Sequence, residues 1–434
     1  MSDLIQTQTW KHLCSRSRKS VVASLRTFVN ALKGGRDKIR DASENAAQMD
    51  HFRPHEVGIR EMIVAQRPRV LHVIANFYIG GSSQLVVDLI ERLGHRFEQS
   101  IFTRDLPPTP AYTGVHLKQC ERLSSVDQAS ALIRAFRPHF LHVHFLGHHG
   151  NAYSEKDWEW YHQVFQAAEN EGYGVLENLN IPVEPYLSSS VRCYVYVSDN
   201  VREAFAPVEA RNETVYPGSD LTSFSRTPSV GTRNHGIPDD CIGMVYRLER
   251  DKLNEQSIDV FIEVIRRRPS TTALIVGDGR FFHYYRERVQ QAGVADAFTF
   301  TGYVAYKDLP AMYERMSLFV APVHRESFGQ VTPFAMGMSL PVVGYRVGAL
   351  EEIIGDPSLL APPGHTGELA RITTSLLDNR ERRIEIGAFN RDRAVRLFSL
   401  EAMVDRYSEL YEFMLNDGKT PSSPGDVPSR RADD

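Results

Sequence analysis

Residues 326–345 read ESFGQVTPFAMGMSLPVVGY, and they combine the groups that a polyhydroxylated, phosphate-bearing ligand requires. Glu326 stands just before Ser327, Phe328 and Gly329, and a short apolar segment leads on to a Pro-Val-Val strand. A carboxylate accepts hydroxyl protons, while the free N–H groups of a first helical turn face phosphate. Gly329 lets the backbone approach a ligand. The amides of Gln330, Val331 and Thr332 are then expected to point at a sugar or a phosphate. The plainer alternative is a capped helix with Glu326 as a solvated acid.

A second candidate is Tyr246-Arg247-Leu248-Glu249-Arg250-Asp251-Lys252, directly after the apolar IGMV. Arg247 with its planar fork and Lys252 as a point charge suit a diphosphate. Ordinary surface charge is the alternative, and the position after an opening strand favours the ligand role. Gly80-Gly81 follows the first apolar strand of the chain. Alone it is a weak signal, but it is placed to cover a diphosphate from the opposite half. Gly277-Asp278-Gly279 reads as a tight turn. His142, His144, His148 and His149 crowd into HVHFLGHHG. Imidazoles ligate metals, yet no carboxylate or thiolate is spaced to complete a site, so no metal is expected there. His144, at a strand end, is expected to line a cleft, and His142 to be partly buried.

These residues need a frame that gathers loops after strands. From Arg69, VLHVIANF, YIGGSSQ and LVVDLIERL give strand, glycine turn and helix, and EQSIFTR, FLHVHF, YGVLENL and CYVYVS continue as strands. A second series starts with IGMVYRL and alternates in the same way through ALIVGDG, FTFTGYV, LFVAPV and LPVVGYRV. Strands alternating with helices imply parallel sheets covered on both faces. The chain is thus α/β, with two doubly wound, Rossmann-like halves joined near TVYPGSDLTSF, where Pro217 and Gly218 mark a turn. Ligands in such sheets bind outside the carboxyl ends of the strands, which is where the motifs lie.

The 434 residues are 42% hydrophobic and 24% charged, with a net charge of −4, as in a soluble globular protein with no global pull toward nucleic acid. Cys14, Cys120, Cys193 and Cys241 are scattered, which argues against a disulfide framework or zinc site and fits a reducing compartment. No apolar run is long enough to span a bilayer. The N-terminus lacks an apolar signal core, so a cytoplasmic location is expected. Residues 1–66 differ from the rest. Within 11–40 the chain is strongly basic, and Val21, Val22, Leu25, Phe28, Val29 and Leu32 fall at helical spacing. Such a helical extension suits an anionic membrane surface, or docks on the protein body. The polar, Pro/Ser-rich tail 417–434 reads as disordered.

The ordered set GGSSQLVVDL, HVHF, VYVSDNV, VYPGSDLTSF, YRLERDK, IVGDGR, FTGYV, DLPAMYERMSLFVAPVHRESFG, AMGMSLPVVGYRVGALEEII, LLAPPG and RLFSLEAMVDRYSELY resembles the retaining GT-B glycosyltransferases of family 4, or glycosyl transferase group 1. The likeness runs from Arg69 to Met414. It implies a donor-diphosphate role for Arg247 and Lys252, and contact with donor sugar hydroxyls for Glu326, the first acid of the family's EX7E motif. Gly80 and Gly81 match the glycine loop near the donor phosphates, and the 327–332 segment lies on the donor side with them. Glu352 matches the acid of the VGGxxE segment. Three departures stand out. Phe334 occupies the place of the second EX7E acid, which holds ribose hydroxyls in relatives. Tyr246 replaces a Gly and is expected to narrow its loop. Glu177, Asn178 and Asn180 occupy the region where relatives carry a His, so Asn178 and His144 become the acceptor-side candidates.

The resemblance implies an N-terminal acceptor-side domain at 67–218, a donor domain at 219–395, and a helix at 396–416 crossing back. It implies a nucleotide-sugar donor, a glycan or lipid-linked acceptor, and no metal or other cofactor. The rival class is a GT-B pseudoenzyme acting as a binding or scaffold protein, favoured by Phe334. A Rossmann dehydrogenase is discounted, since no GxGxxG follows a strand with an acid downstream. If residues 11–40 meet a membrane surface, the full chain will co-sediment with anionic liposomes and a chain lacking residues 1–66 will not. Equal sedimentation of both removes the membrane reading.

Overall fold

The computed structural model describes residues 67–78, 80–106, 116–120, 122–145, 155–226 and 240–416. The predicted basic helix of residues 11–40, His148, His149 and the 417–434 tail lie outside these residues. The first half runs β1 (Arg69–Asn76), α1 (Gly81–Leu93), β2 (Glu98–Asp105), β3 (His116–Gln119), α2 (Val126–Phe136), β4 (Phe140–Phe145), α3 (Glu155–Glu171), β5 (Gly174–Leu179), β6 (Val191–Tyr196), α4 (Asp199–Phe205) and β7 (Asn212–Thr214). Its strands form one parallel sheet, in the order β3-β2-β1-β4-β5-β6-β7.

The second half runs β8 (Cys241–Val245), α5 (Asp259–Arg267), β9 (Thr272–Val276), α6 (Phe281–Gln291), β10 (Phe298–Gly302), α7 (Leu309–Glu314), β11 (Leu318–Ala321), α8 (Val331–Gly337), β12 (Val342–Tyr345), α9 (Leu350–Ile354), β13 (Leu360–Ala361), α10 (Thr366–Leu377), α11 (Arg380–Phe398) and α12 (Leu400–Asn416). Its parallel sheet has the order β10-β9-β8-β11-β12-β13. The order reverses beside β1 and beside β8, and such switch points open crevices at the carboxyl ends of the strands.

The central strands are the apolar runs of the sequence because helices cover both faces of each sheet. The strands that sequence patterning misses are short and marginal. HLKQ in β3 is mostly exposed, NET in β7 is half-buried, and β13 has two residues. The helix expected at 396–416 also differs. The preceding helix continues through that point to Phe398, and the chain breaks at Ser399. There Ser219 N donates to Phe398 O at 2.9 Å, Leu400 N donates to Ser219 O at 3.1 Å, and Ser399 Oγ caps Ala402 N at 3.1 Å.

Helix α12 lays Leu400, Met403, Tyr407, Leu410, Tyr411 and Met414 against Val70, Phe140 and Leu176 of the first sheet. Beneath it lies a buried polar layer. His72 pairs in register with His142, and His144 with Asn178, so all four side chains share the face that α12 covers. Each is completely buried. This corrects the expectation that His144 and Asn178 line the acceptor side of a cleft, and that His142 is only partly buried. His72 Nε2 meets Gln99 Oε1 at 2.9 Å, His72 Nδ1 meets His144 Nε2 at 3.2 Å, and His142 Nδ1 meets the Tyr411 hydroxyl at 2.9 Å. The Tyr407 hydroxyl donates to Asn178 Oδ1. Ring nitrogens of His72, His142 and His144 approach within 4.8 Å. No carboxylate or thiolate joins them among the described residues, so nothing there offsets a buried dication.

Burial holds these imidazoles neutral. Burial lowers the His72 pKa from 6.5 to about 4, against its bond to Gln99, and burial and then neighbouring imidazoles take those of His142 and His144 well below the ordinary value. On the other face of the sheet, burial raises the Glu177 carboxyl well above its usual range, partly offset by the Tyr186 N–H. A base with a depressed folded pKa binds more protons unfolded, so its stabilising effect is lost as pH falls below the unfolded value. Each such histidine contributes a slope of about 1.4 kcal/mol per pH unit between the two pKa values. Glu177 acts with opposite sign above about pH 4.5 and offsets one histidine. Unfolding free energy from urea titrations should therefore drop between about pH 6.5 and 4.5. His72→Gln should flatten that slope, and an unchanged slope would remove His72 as its source.

Candidate functional site

The carboxyl edge of the second sheet gathers the two strongest sequence motifs. The loop after β8 carries Arg247 and Lys252, and the loop after β11 carries Glu326. Lys252 Nζ and Glu326 Oε1 pair at 2.5 Å, with the lysine side chain 27% exposed and the carboxylate fully enclosed. Arg247 is the open member of the group. Its side chain is 75% exposed, and one guanidinium nitrogen meets Asp251 at 2.7 Å, leaving the rest of the fork toward solvent.

The backbone is shaped around the Glu326 carboxylate. Gly329 sits at φ +73°, and a Cβ there would lie 2.3 Å from Glu326 Oε2. Gly348, at φ +50°, would place a Cβ 1.9 Å from the Glu326 carbonyl oxygen, which accepts from Ala349 N at 2.9 Å. Glu326 Oε2 is buried and has no hydrogen-bond partner among the described residues. In this state Glu326 positions Lys252 rather than presenting its carboxylate to a ligand. The expectation of direct sugar contact is modified because the 326–329 loop closes over the acid.

Tyr246 turns inward instead of narrowing the loop. It is 6% exposed, packs toward Phe319, and burial with the nearby Glu326 charge raises its hydroxyl pKa. Gly277 and Gly279 brace this loop from behind. A Cβ on Gly277 would lie 1.8 Å from the Tyr246 carbonyl oxygen, and Leu248 N donates to Asp278 O at 2.9 Å. His324 N donates to Lys252 O at 3.0 Å, which ties the two motif loops together. A cavity of about 60 Å³, lined by residues including Asn254, Ser257, His324, Tyr345 and Thr366, adjoins them.

Several residues assigned to donor binding have other tasks. The Thr332 amide already donates to Gly329 O at 3.2 Å, and the Gln330 side chain donates to Gly218 O at 3.0 Å in the linker between the halves. Val331 O accepts from the Tyr313 hydroxyl at 3.1 Å. Phe328 is 3% exposed and packs on Tyr216 and Phe398. Ser327 is half-buried beside it. Phe334 is 5% exposed and stacks on Phe224 with ring centroids 4.0 Å apart, with Tyr306 edge-on at 5.8 Å. That position is an aromatic core contact with no polar atom to offer.

Glu352 bridges the halves. Its carboxylate accepts from Asp199 N at 2.8 Å, Asn200 N at 3.1 Å and the Tyr216 hydroxyl at 3.0 Å. This corrects its donor-binding assignment, because both oxygens are engaged by the first half and the linker. Burial raises its pKa, against the pull of those donors. Gly80 and Gly81 lie at the exposed start of α1, with nothing within 4 Å of a Cβ built on either. Helix α1 has no side-chain cap and no acid in its first turn, so its free amides present positive charge to the space in front. Gly348 is the participant that sequence reasoning passed over, although it stands in the same VGALEEI segment as Glu352.

The second half, at residues 239–379, matches the family model described as Glycosyl transferases group 1. A 2-deoxystreptamine glucosyltransferase of Streptomyces kanamyceticus is 32% identical over 152 residues, 34% of this chain and 39% of that protein. An N-acetyl-alpha-D-glucosaminyl L-malate synthase of Bacillus anthracis is 25% identical over 251 residues, 54% of this chain and 65% of that protein. The chain thus spans less than two thirds of the length of these relatives. Among solved structures, Anabaena HepE in complex with UDP superposes with a TM-score of 0.64 at 17% identity, over 80% of this chain and all of that one. The two sheets, their switch points and this superposition make the fold GT-B, and residues 239–379 are similar to the glycosyl transferases group 1 family.

Proposed function

We propose that this protein is a retaining glycosyltransferase of family 4. It moves a sugar from a nucleotide-diphosphate sugar to a hydroxyl of a glycan, lipid-linked or other acceptor, in cell-surface polysaccharide or glycoconjugate synthesis. The observation that carries the reading is the enclosed Lys252–Glu326 pair beside the open Arg247, at the carboxyl edge of the second sheet. Cations there stabilise charge that develops on a leaving diphosphate as the glycosidic bond breaks, without reorganising at that moment. Arg247 supplies the accessible fork, and Lys252 the fixed point charge whose place Glu326 sets. The α1 amides at Gly80 and Gly81 face the phosphates from the first half. This division of labour leaves no role for a metal ion, and no side chain is nominated as a nucleophile. The relative named as a 2-deoxystreptamine glucosyltransferase supports the reading. The acceptor enters from the first half, and the protein works in the cytoplasm or peripherally on a membrane.

A second reading is a GT-B binding protein without turnover. The Phe334–Phe224 stack favours it, because the place where relatives hold ribose is filled by packed rings. A panel of nucleotide sugars separates the two. Turnover establishes the enzyme, while a thermal shift without turnover establishes the binding protein.

Arg247→Ala should lower turnover about a hundredfold or more with the fold intact, the scale of losing a group that stabilises transition-state charge, and Lys252→Ala should lower it as much while also destabilising the protein by stranding Glu326. Undiminished rates in both would remove the phosphate assignment. Phe334→Ala should cost about 3 kcal/mol of stability, measured by denaturant titration. Phe334→Glu should destabilise further without tightening donor binding. A stable Phe334→Glu protein that binds donor more tightly would show that this position faces ribose after all.

A further inference from the structure

The two halves meet at the start of a helix. Helix α4 has free amides in its first turn at Asp199, Asn200 and Val201. The Ser198 hydroxyl oxygen accepts from Val201 N at 3.2 Å. The Asp199 and Asn200 amides instead donate to the Glu352 carboxylate, 153 residues further along the chain, at 2.8 and 3.1 Å. A cap is ordinarily supplied by the residue that starts the helix, so α4 is complete only while the second half lies against it. Gln330 and Arg391 also reach out of the second half, but to the carbonyls of Gly218 and Phe224 in the linker.

This joint can open and reclose. Arg393 donates to the Glu352 main-chain oxygen, Arg202 is engaged with Asp199, and Arg346 faces Glu351, so no cation pairs with the Glu352 carboxylate among the described residues. Its partners are the two amides and the Tyr216 hydroxyl, which water replaces when the halves part. Tyr216 keeps a second acceptor within the first half, Asp199 Oδ2 at 3.2 Å, so its hydroxyl stays bonded when Glu352 withdraws. Glu352 is clamped from its own side as well. Ala349 N donates to Glu326 O and α9 follows at once, with Leu350, Ile353 and Ile354 buried beneath it. A second arm leaves the same loop, because Phe328 packs on the Tyr216 ring with centroids 5.7 Å apart. Both arms from residues 326–329 thus end at Tyr216.

We propose that Glu352 and Tyr216 form a latch that couples the seating of the 326–329 loop to closure of the two halves. With the loop seated, α9 holds Glu352 against the α4 amides and the halves stay closed. When the loop shifts, both arms let go together, because α9 and Phe328 move with it. Glu352 is a positioning residue here and touches no ligand. It acts through closure, which sets how near the Gly80–Gly81 turn of the first half stands to Arg247 and Lys252. The identity of the ligand that seats the loop rests on the donor reading above, and the latch does not.

The test reads the distance between spin labels at Glu91→Cys on α1 and Glu287→Cys on α6, both exposed, in the full chain carrying Cys14→Ser and Cys120→Ser. Cys193 and Cys241 are buried and stay unlabelled. This parent should give a narrow distribution. Glu352→Ala should broaden it and move its mean, and Glu352→Gln, which keeps the length and one acceptor, should restore most of the parent's shape. Gly348→Ala should broaden it too, although it changes nothing on the first half, because its Cβ pushes the Glu326 carbonyl away. If Gly348→Ala does not fold, Phe328→Leu, which removes the second arm, takes its place. An unchanged distribution in Glu352→Ala overturns the latch, and an unchanged one in the loop variant overturns the coupling. UDP at saturation should move the Glu352→Ala distribution back toward the parent's, and Glu352→Ala should weaken UDP binding about fivefold or more by calorimetry. Equal UDP affinity in the two proteins overturns the coupling. A parent that binds no UDP counts against the donor reading, and the distances in the free proteins still decide the latch.

Discussion

An enclosed carboxylate with one lysine beside it sets the terms for the second half. Taking Glu326 out of water costs several kcal/mol, and the attraction of Lys252 offsets this only if the geometry around both is held. The loop glycines, the inward Tyr246 and the Ala349 amide all serve that enclosure. Removing either charge strands the other, so the pair is fragile to single substitutions and poorly suited to gradual change. Arg247 carries no such constraint. It stands in water, tied to Asp251 by an exposed ion pair.

The same loops hold the two halves together. Glu352, on the helix after Gly348, reaches across to Asp199 and Asn200, while Gln330, at the start of α8, reaches the linker at Gly218. Phe328, beside Glu326, packs on Tyr216 and Phe398. Residues that resemble ligand contacts in sequence thus form the seam around the linker. The geometry of the charged pair and the closure of the halves are set by neighbouring residues of one short segment, so a change in one is felt by the other.

Sequence patterning was informative where a strand is buried on both faces. VLHVIA, FLHVHF and ALIV show as apolar runs because helices cover them, and the turns after them carry the charged motifs. Polar edge strands such as HLKQ and NET have no such signal. The direction of a side chain was the harder matter. His144 sits at a strand end, which suggested a cleft, and Asn178 lies where relatives carry a His, but their in-register alternation puts both under a helix some 230 residues further along the chain, where Tyr407 meets Asn178. Phe334 was noticed as an exception, yet nothing local indicates that Phe224, from the linker side, stacks on it. Glu352 shows the same limit, since an acid near a ligand loop and an acid bridging two halves look identical in one dimension.

The break at Ser399 has a consequence for the making of the protein. The first sheet is covered on one face by α12, which leaves the ribosome only after the strands of both sheets have been made. Until Tyr407 and Tyr411 arrive, Asn178 Oδ1 and His142 Nδ1 on that face lack the hydroxyl partners that they have in the finished fold. Domains generally fold in order of synthesis, but here the first half is left unfinished until the second has been made. A chain stalled or cleaved near residue 399 therefore yields a complete second half joined to a first half with one sheet face uncovered, a natural substrate for chaperones and proteases.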